Sequence, residues 1–204
     1  MMTHRRLIAS ATMVTLGLTA CGGSSSSTSA ETAAAAAVAA STADAPAGAA
    51  AFNAADLTFA QGMIPHHEQA IEMADIALDP TIGASDTIKR LATGVKASQD
   101  PEVTTMKGWF TAWGQSEAMD MSGDQMSSMD GMMSTADMDA LGALKGTEFD
   151  KKWAEMMAAH HEGAIAMAQT VKAAGSNADV LALADAVIKA QQAELIGLKA
   201  IAGG

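Results

Sequence analysis

Between residues 54 and 202, apolar positions recur three and four residues apart, with polar positions on the opposite side of the period. That spacing is helical. Four long helices are predicted near 54–79, 83–113, 147–174 and 177–202. Alanine, methionine, leucine, glutamate and lysine dominate them, tyrosine is absent, and β-branched runs are few. Thr147 with Asp150, and Ser176 with Asp179, resemble capping boxes. Gly175 suits the end of the third helix. Pro65 falls inside the first helix and predicts a kink or a restart there. Pro101 follows Asp100 and suits a cap with a new first turn. A linker over 114–146 joins the two halves, with a short helix expected near 135–142.

The pattern repeats along the chain. Asp56, Phe59 and Met63 match Asp150, Trp153 and Met157 at an offset of 94 residues. Leu91, Ala92, Gln99, Glu102 and Val103 then match Leu183, Ala184, Gln191, Glu194 and Leu195 at an offset of 92. Each half is a histidine-bearing segment followed by Leu-Ala-x6-Gln-x2-Glu, so the halves read as a duplication. Two helical hairpins with short turns predict an all-α fold, an up-down four-helix bundle.

The repeated blocks are "MIPHHEQAIEMA" (63–74) and "MAAHHEGAIAMA" (157–168), and they hold four of the five histidines. On a helix each residue advances about 100°. With Met63 at zero, His66 falls near about −60° and His67 near about +40°, inside the stripe shared by Phe59, Ala70 and Ala74. Glu68, Glu72 and Asp75 fall on the far side. In the second block Trp153, Met157, His160, His161, Ala164, Ile165 and Ala168 share one face, and Glu162 leaves it.

Four histidines on inward faces invite two readings. They are core histidines satisfied by hydrogen bonds, or they hold a metal ion. Each buried neutral imidazole needs both a donor and an acceptor as partners, and the alanine, isoleucine, methionine and aromatic neighbours supply neither. A bound ion satisfies several nitrogens at once. Adjacent histidines diverge by about 100°, so the simplest site takes one from each helix. Met63 with His67 and Met157 with His161 are i, i+4 pairs, which together offer two imidazoles and two thioethers. Such neutral N/S ligation favours Cu(I), with Ag(I) as a mimic. His66 and His160 form a second site or orient the first.

Enzyme templates fit poorly. "HHEQAI" and "HHEGAI" lack the second histidine of His-Glu-x-x-His. Di-iron bundles need inward glutamates and Glu-x-x-His, and these blocks have neither. No Gly-rich phosphate loop or nucleophile elbow is present. No catalytic residue is assigned, although a metal-dependent oxidoreductase stays open as a third reading, beside a non-metal structural or interaction lipoprotein.

The linker changes the picture further. Residues 119–138, "MDMSGDQMSSMDGMMSTADM", carry seven of the sixteen methionines: Met119, Met121, Met126, Met129, Met132, Met133 and Met138. The residues between them are small and polar, which suits a flexible chain more than a core. Clustered thioethers stay ligands under acidic conditions and capture Cu(I) or Ag(I), a secondary set of sites. Packing over the bundle end, and service as an oxidation sink, are the alternatives.

The N-terminus is not part of the fold. Arg5 and Arg6 precede the uncharged stretch "LIASATMVTLGLTA" (7–20), too short for a permanent span and typical of a secretion signal. It ends in "LTAC", which looks like a lipobox whose Cys21 is lipidated and becomes the first mature residue. Several acyl chains on one residue would anchor the protein stably to a membrane. Cys21 is the only cysteine, so no thiol remains for disulfides or thiolate ligation. Residues 21–53 read as a flexible tether, rich in glycine, serine and alanine. The domain proper is 54–204. A formal charge of −11 argues against nucleic acid and against adhesion to anionic lipid, and suits cationic partners, metal ions among them. Protein partners are not legible.

At "GMIPHHEQAIEMA", "MMAAHHEGAIAMA", the paired Leu-Ala…Gln-x-x-Glu helices, "GWFTAW" and the Met-rich linker, the chain resembles the bacterial domain of unknown function 305 family, CopM-like copper-binding proteins among them. The resemblance covers about residues 54–202. It implies a ferritin-like four-helix bundle, a secreted or periplasmic location, and metal-binding roles for Met63, His66, His67, Met157, His160 and His161. Pro65 stands where the second block has Ala159, a departure from symmetry. The sequence reading is thus a lipid-anchored periplasmic or cell-surface protein that binds Cu(I) for sequestration, tolerance or hand-over.

Overall fold

A computed structural model describes residues 51–117 and 129–203. The expected signal, Cys21, most of the tether, and Met119, Met121 and Met126 lie outside the described residues. Five helices are present among them: α1 (Ala54–Leu78), α2 (Asp86–Trp113), α3 (Thr135–Ala143), α4 (Gly146–Ala174) and α5 (Ala178–Ala202). α1 and α2 form one hairpin and α4 and α5 the other, and the hairpins meet mainly through α1 and α4. None of the described helices is long and apolar enough to cross a membrane.

The prolines do not break their helices. α1 runs unbroken through Pro65 and α2 through Pro101. Pro101 is exposed, so the carbonyl it orphans one turn back faces solvent. Pro65 is flanked on both sides by buried residues, whose packing holds the helix continuous.

The expected capping boxes also shift. α4 starts after Lys145 with no side-chain cap, and α5 is capped by Asn177, whose Oδ1 accepts from Asp179 N and Val180 N. The working boxes are Asn53 with Asp56 and Ser134 with Asp137. The displaced residues have other tasks. Asp150 accepts from Ser85 N at 3.1 Å, which ties α4 to the α1–α2 turn. Asp56, fully buried, accepts from Ser176 N, Asn177 N and Ser176 Oγ at 3.0–3.1 Å, which ties α1 to the α4–α5 turn. Duplicated aspartates thus hold each other's hairpin turns. Gly175 ends α4 without a left-handed twist (φ −72°), and glycine is required there because a Cβ would lie 2.6 Å from Asp56 Oδ1.

Asp56→Ala is expected to cost about 3 kcal/mol in urea denaturation, since it strands several backbone donors at a buried turn. Asp150→Ala should cost about 1 kcal/mol, because its bond to Ser85 is exposed. Equal losses would show that Asp56 is not the principal latch.

The apolar interior falls into two clusters. One is built by Ala70–Ala77 of α1, Ile88–Val95 of α2, Phe149–Ala158 of α4 and Leu198 of α5, with Met138 and Leu141 of α3. The other is built by Phe59–Ile64, Val103–Trp113, Ala164–Val171 and Val180–Val187. Each long helix contributes to both clusters. The order of those contributions makes each hairpin antiparallel and sets α1 antiparallel to α4. What lies between the clusters is polar.

Candidate metal centre

Each long helix crosses the gap between the clusters at its polar residues: His66 and His67 on α1, Gln99 and Glu102 on α2, His160 and His161 on α4, Gln191 and Glu194 on α5. All four histidines are fully buried, and Gln99 and Gln191 nearly so. The inward faces read from the helical period are therefore the observed ones. Glu68 and Glu162 are exposed and bind Lys107 and Lys199 at 2.6 Å, matching outer ion pairs of the duplication.

The layer has its own symmetry. The His66 and His160 rings touch, with centroids 3.7 Å apart and planes tilted by 42°. His67 Nε2 donates to Glu102 Oε2 at 2.8 Å, and His161 Nε2 donates to Glu194 Oε2 at 2.6 Å. The central close pair is thus His66–His160, while His67 and His161 each turn one nitrogen toward the partner helix of their own hairpin. Met63 and Met157 are fully buried but belong to different apolar clusters, so they flank the layer from opposite sides. Glu102 and Glu194 join the layer through these bonds, although the ligand pattern of the sequence does not include them. Their signal was the repeated Gln-x2-Glu, one per hairpin.

Hydrogen bonding defines the chemistry on offer. His66 Nε2 donates to the Asp130 carbonyl at 3.3 Å. With neutral imidazoles, these bonds place the proton on Nε2 of His66, His67 and His161 and leave the Nδ1 lone pair on each. Those three Nδ1 atoms, both nitrogens of His160, and Oε1 of Gln99 and Gln191 have no hydrogen-bond partner of ordinary geometry. Among the described residues these are all the buried side-chain nitrogens and oxygens left unpartnered, and every one lies in this layer. With all four imidazoles neutral, these atoms are acceptors apart from one N–H of His160. A cation placed here could satisfy several of these lone pairs at once.

Burial keeps the central pair uncharged in the absence of metal. Desolvation, reinforced by neighbouring His67, pushes the pKa of His66 down to about 3. Desolvation, reinforced by His66, holds His160 well below the ordinary histidine value.

A strap from the linker covers the layer. Met133 N donates to Gln69 Oε1 at 2.7 Å and Gln69 Nε2 donates to the Met133 carbonyl at 2.9 Å, a two-point clamp. Gly131 takes a left-handed φ of 83° and lies against the backbone of α4, where a Cβ would meet Ala159 O at 2.8 Å. A Cβ on Gly163 would meet Asp130 O at 2.0 Å, so both glycines are needed for the approach. Of the linker methionines, Met138 is buried in the core on α3 and Met133 packs against it. Met129 and Met132 are half-buried in the strap.

The donor set fits a soft cation. Among the described residues no three His, Cys, Asp or Glu side chains converge as a preformed cage. Imidazole nitrogens with thioethers nearby suit Cu(I) and Ag(I), which accept few ligands and soft ones.

Comparison with known proteins agrees with this architecture. Residues 56–202 match the family described as domain of unknown function (DUF305). A DUF305 fragment from Deinococcus radiodurans is 26% identical, with a TM-score of 0.67 over 74% of this chain and 97% of that one. A DUF305 protein from Streptomyces coelicolor, described as a candidate secreted protein, is 28% identical, with a TM-score of 0.64 over 71% of this chain and 89% of that one. CopM in its Cu(II)-bound form is 30% identical, with a TM-score of 0.61 over 72% of this chain and 95% of that one, and CopM is also known in Cu(I)-bound and Ag-bound forms. Comparison with curated proteins gives no match. The match spans both histidine blocks, both Gln-x2-Glu helices and the linker between them, and the chain belongs to the DUF305 family.

Proposed function

We propose that this protein is a lipid-anchored, extracytoplasmic Cu(I)-binding protein whose histidine layer takes the ion for sequestration, tolerance or hand-over. The observation that carries the reading is the concentration of unpartnered buried acceptors in one layer, around His66, His67, His160 and His161. The copper-bound and silver-bound forms of CopM, a structural relative, support the choice of metal. His66 and His160 supply central nitrogens. Glu102 and Glu194 act through His67 and His161, holding their Nε2–H and turning the ring orientation to account. Met63 and Met157 supply thioethers from either side, and Met129, Met132 and Met133 offer further soft donors in the strap. Cys21 supplies the anchor.

A second reading treats the layer as a structural polar network. The bonds from His67 to Glu102 and from His161 to Glu194 favour it. The unpartnered nitrogens of His160 weigh against it, because a structural network is stable only when its members are satisfied.

Anaerobic titration with Cu(I) against a chromophoric competitor separates the two. The protein should hold Cu(I) tightly, and replacing His66, His67, His160 and His161 with alanine should remove the tightest site. Unchanged affinity in a variant that keeps its helical circular dichroism would sink the metal reading.

A further inference from the structure

The duplication is broken at one place beside the histidine layer. At the offset of 94, Gly62 stands where the second block has Met156. Met156 fills its position and is buried in the core. At Gly62 the space is taken by two other side chains. A Cβ there would lie 3.0 Å from Met167 Cε and 3.2 Å from Met129 Cε, so the methyl ends of two methionines both lie over one glycine. One comes from α4 and the other from the strap.

These two methionines differ from the core ones. Met73, the duplicate of Met167, is fully buried, whereas Met167 and Met129 are half-buried. Met167 also lines a surface groove of about 350 Å³ together with Phe59, Thr170 and Val171. Solvent therefore reaches one side of the pair. The other side adjoins the histidine layer. Gly62 lies one helical turn before His66 on the same face of α1, and Met167 lies two turns after His160 on the same face of α4. Met129 precedes Asp130, whose carbonyl holds His66 Nε2. Unpartnered buried nitrogens of His66 and His160 thus stand behind a thioether pair that faces solvent.

We infer that Met129 and Met167, closing over Gly62, form a thioether capture site for a soft monovalent cation at the mouth of the histidine layer. The proposal rests on the reading of that layer as a soft-metal site. Two thioethers from separate elements give a soft ion ligands that protons do not contest. Their unbranched side chains can swing toward solvent or toward His66 without disturbing the helices. The glycine supplies the room, and the matching position on the other hairpin is closed by Met156.

The test uses Ag(I), which is diamagnetic, on the mature chain carrying 13C-methyl methionine and 15N histidine. Sub-stoichiometric Ag(I) should shift the methyl signals of Met129 and Met167 early in the titration. Met129→Leu with Met167→Leu keeps volume and apolarity. In that variant the histidine ring signals should still shift at saturation, while loading from a silver chelate slows by about tenfold or more. Unmoved Met129 and Met167 signals in the wild-type protein, with loading equally fast in the variant, would overturn the capture site. If both methyl signals shift and the histidine rings do not, the capture site stands and the reading of the layer falls.

Discussion

The metal-free protein is expected to lose at least about 2 kcal/mol of folding stability between pH 7 and pH 5. The cause is the buried central pair. Burial holds His66 to a pKa of about 3 and His160 well below the ordinary value of 6.5. In the unfolded chain both return to that value and take up protons below it. The unfolded state then binds more protons than the folded one, so stability rises with pH across this window. The full contribution is present above about pH 6.5 and is lost as pH falls toward the folded value, at about 1.4 kcal/mol per pH unit for each group. At pH 5 His66 has withdrawn about 2 kcal/mol, and His160 adds a loss of the same sign. Asp79 and Asp137, whose pKa values are lowered by hydrogen bonds from Thr81 and Ser134, act only below the ordinary carboxylate value of 3.8 and do not enter this window. Urea denaturation at pH 7, 6 and 5 measures the slope. A loss below about 1 kcal/mol would mean that the pair reaches solvent or protons in the folded state.

The main lines of the bundle were legible because helical period and duplication are properties of the sequence alone. Phe59, Met63, Ala70 and Ala74 mark the inward face of α1, and all four are buried. The exposed side of Glu68 and Glu162 followed from the same arithmetic. The caps were less legible. Thr147 and Ser176 carry the right side chains at plausible spacing, yet Asp150 and Ser176 bond to the other hairpin, and no local rule anticipates a partner about 65 or 120 residues away. Pro65 reads as a kink or restart within the first helix and Pro101 as a cap with a new first turn, because propensity ignores what packs on either side. The pairing inside the site was the hardest part. Helical angles show that His66 and His67 diverge, but not which of them meets the other hairpin. That depends on the rotation of α1 against α4, and the rotation is set by contacts such as Trp153 Nε1 donating to the Met73 carbonyl at 2.9 Å. Glu102 and Glu194 were visible as a repeat, but only the folded hairpin shows them reaching His67 and His161.

Replacing His66 and His160 together with leucine is expected to weaken Cu(I) binding by at least about a hundredfold while making the metal-free protein more stable by about 2 kcal/mol. The two effects have one origin. The Nδ1 atoms of both residues and Nε2 of His160 are buried without partners in the metal-free state, and each such atom costs stability. Leucine fills comparable space between two apolar clusters and carries nothing to satisfy. The replacement gives up the bond of His66 to the Asp130 carbonyl, one neutral hydrogen bond weighed against three unpartnered atoms. The same substitution should flatten the stability change between pH 7 and pH 5, because the titrating pair is gone. Added Cu(I) should raise the melting temperature of the wild-type protein, as binding to the folded state alone requires, and leave the leucine variant almost unmoved. A variant both less stable and equally tight for Cu(I) would contradict the assignment at its root, since it would place the metal elsewhere and make the histidines part of the scaffold. The opposite outcome would mean that the bundle tolerates an unsatisfied polar layer at its centre, against its own stability, because the layer is where the ion binds.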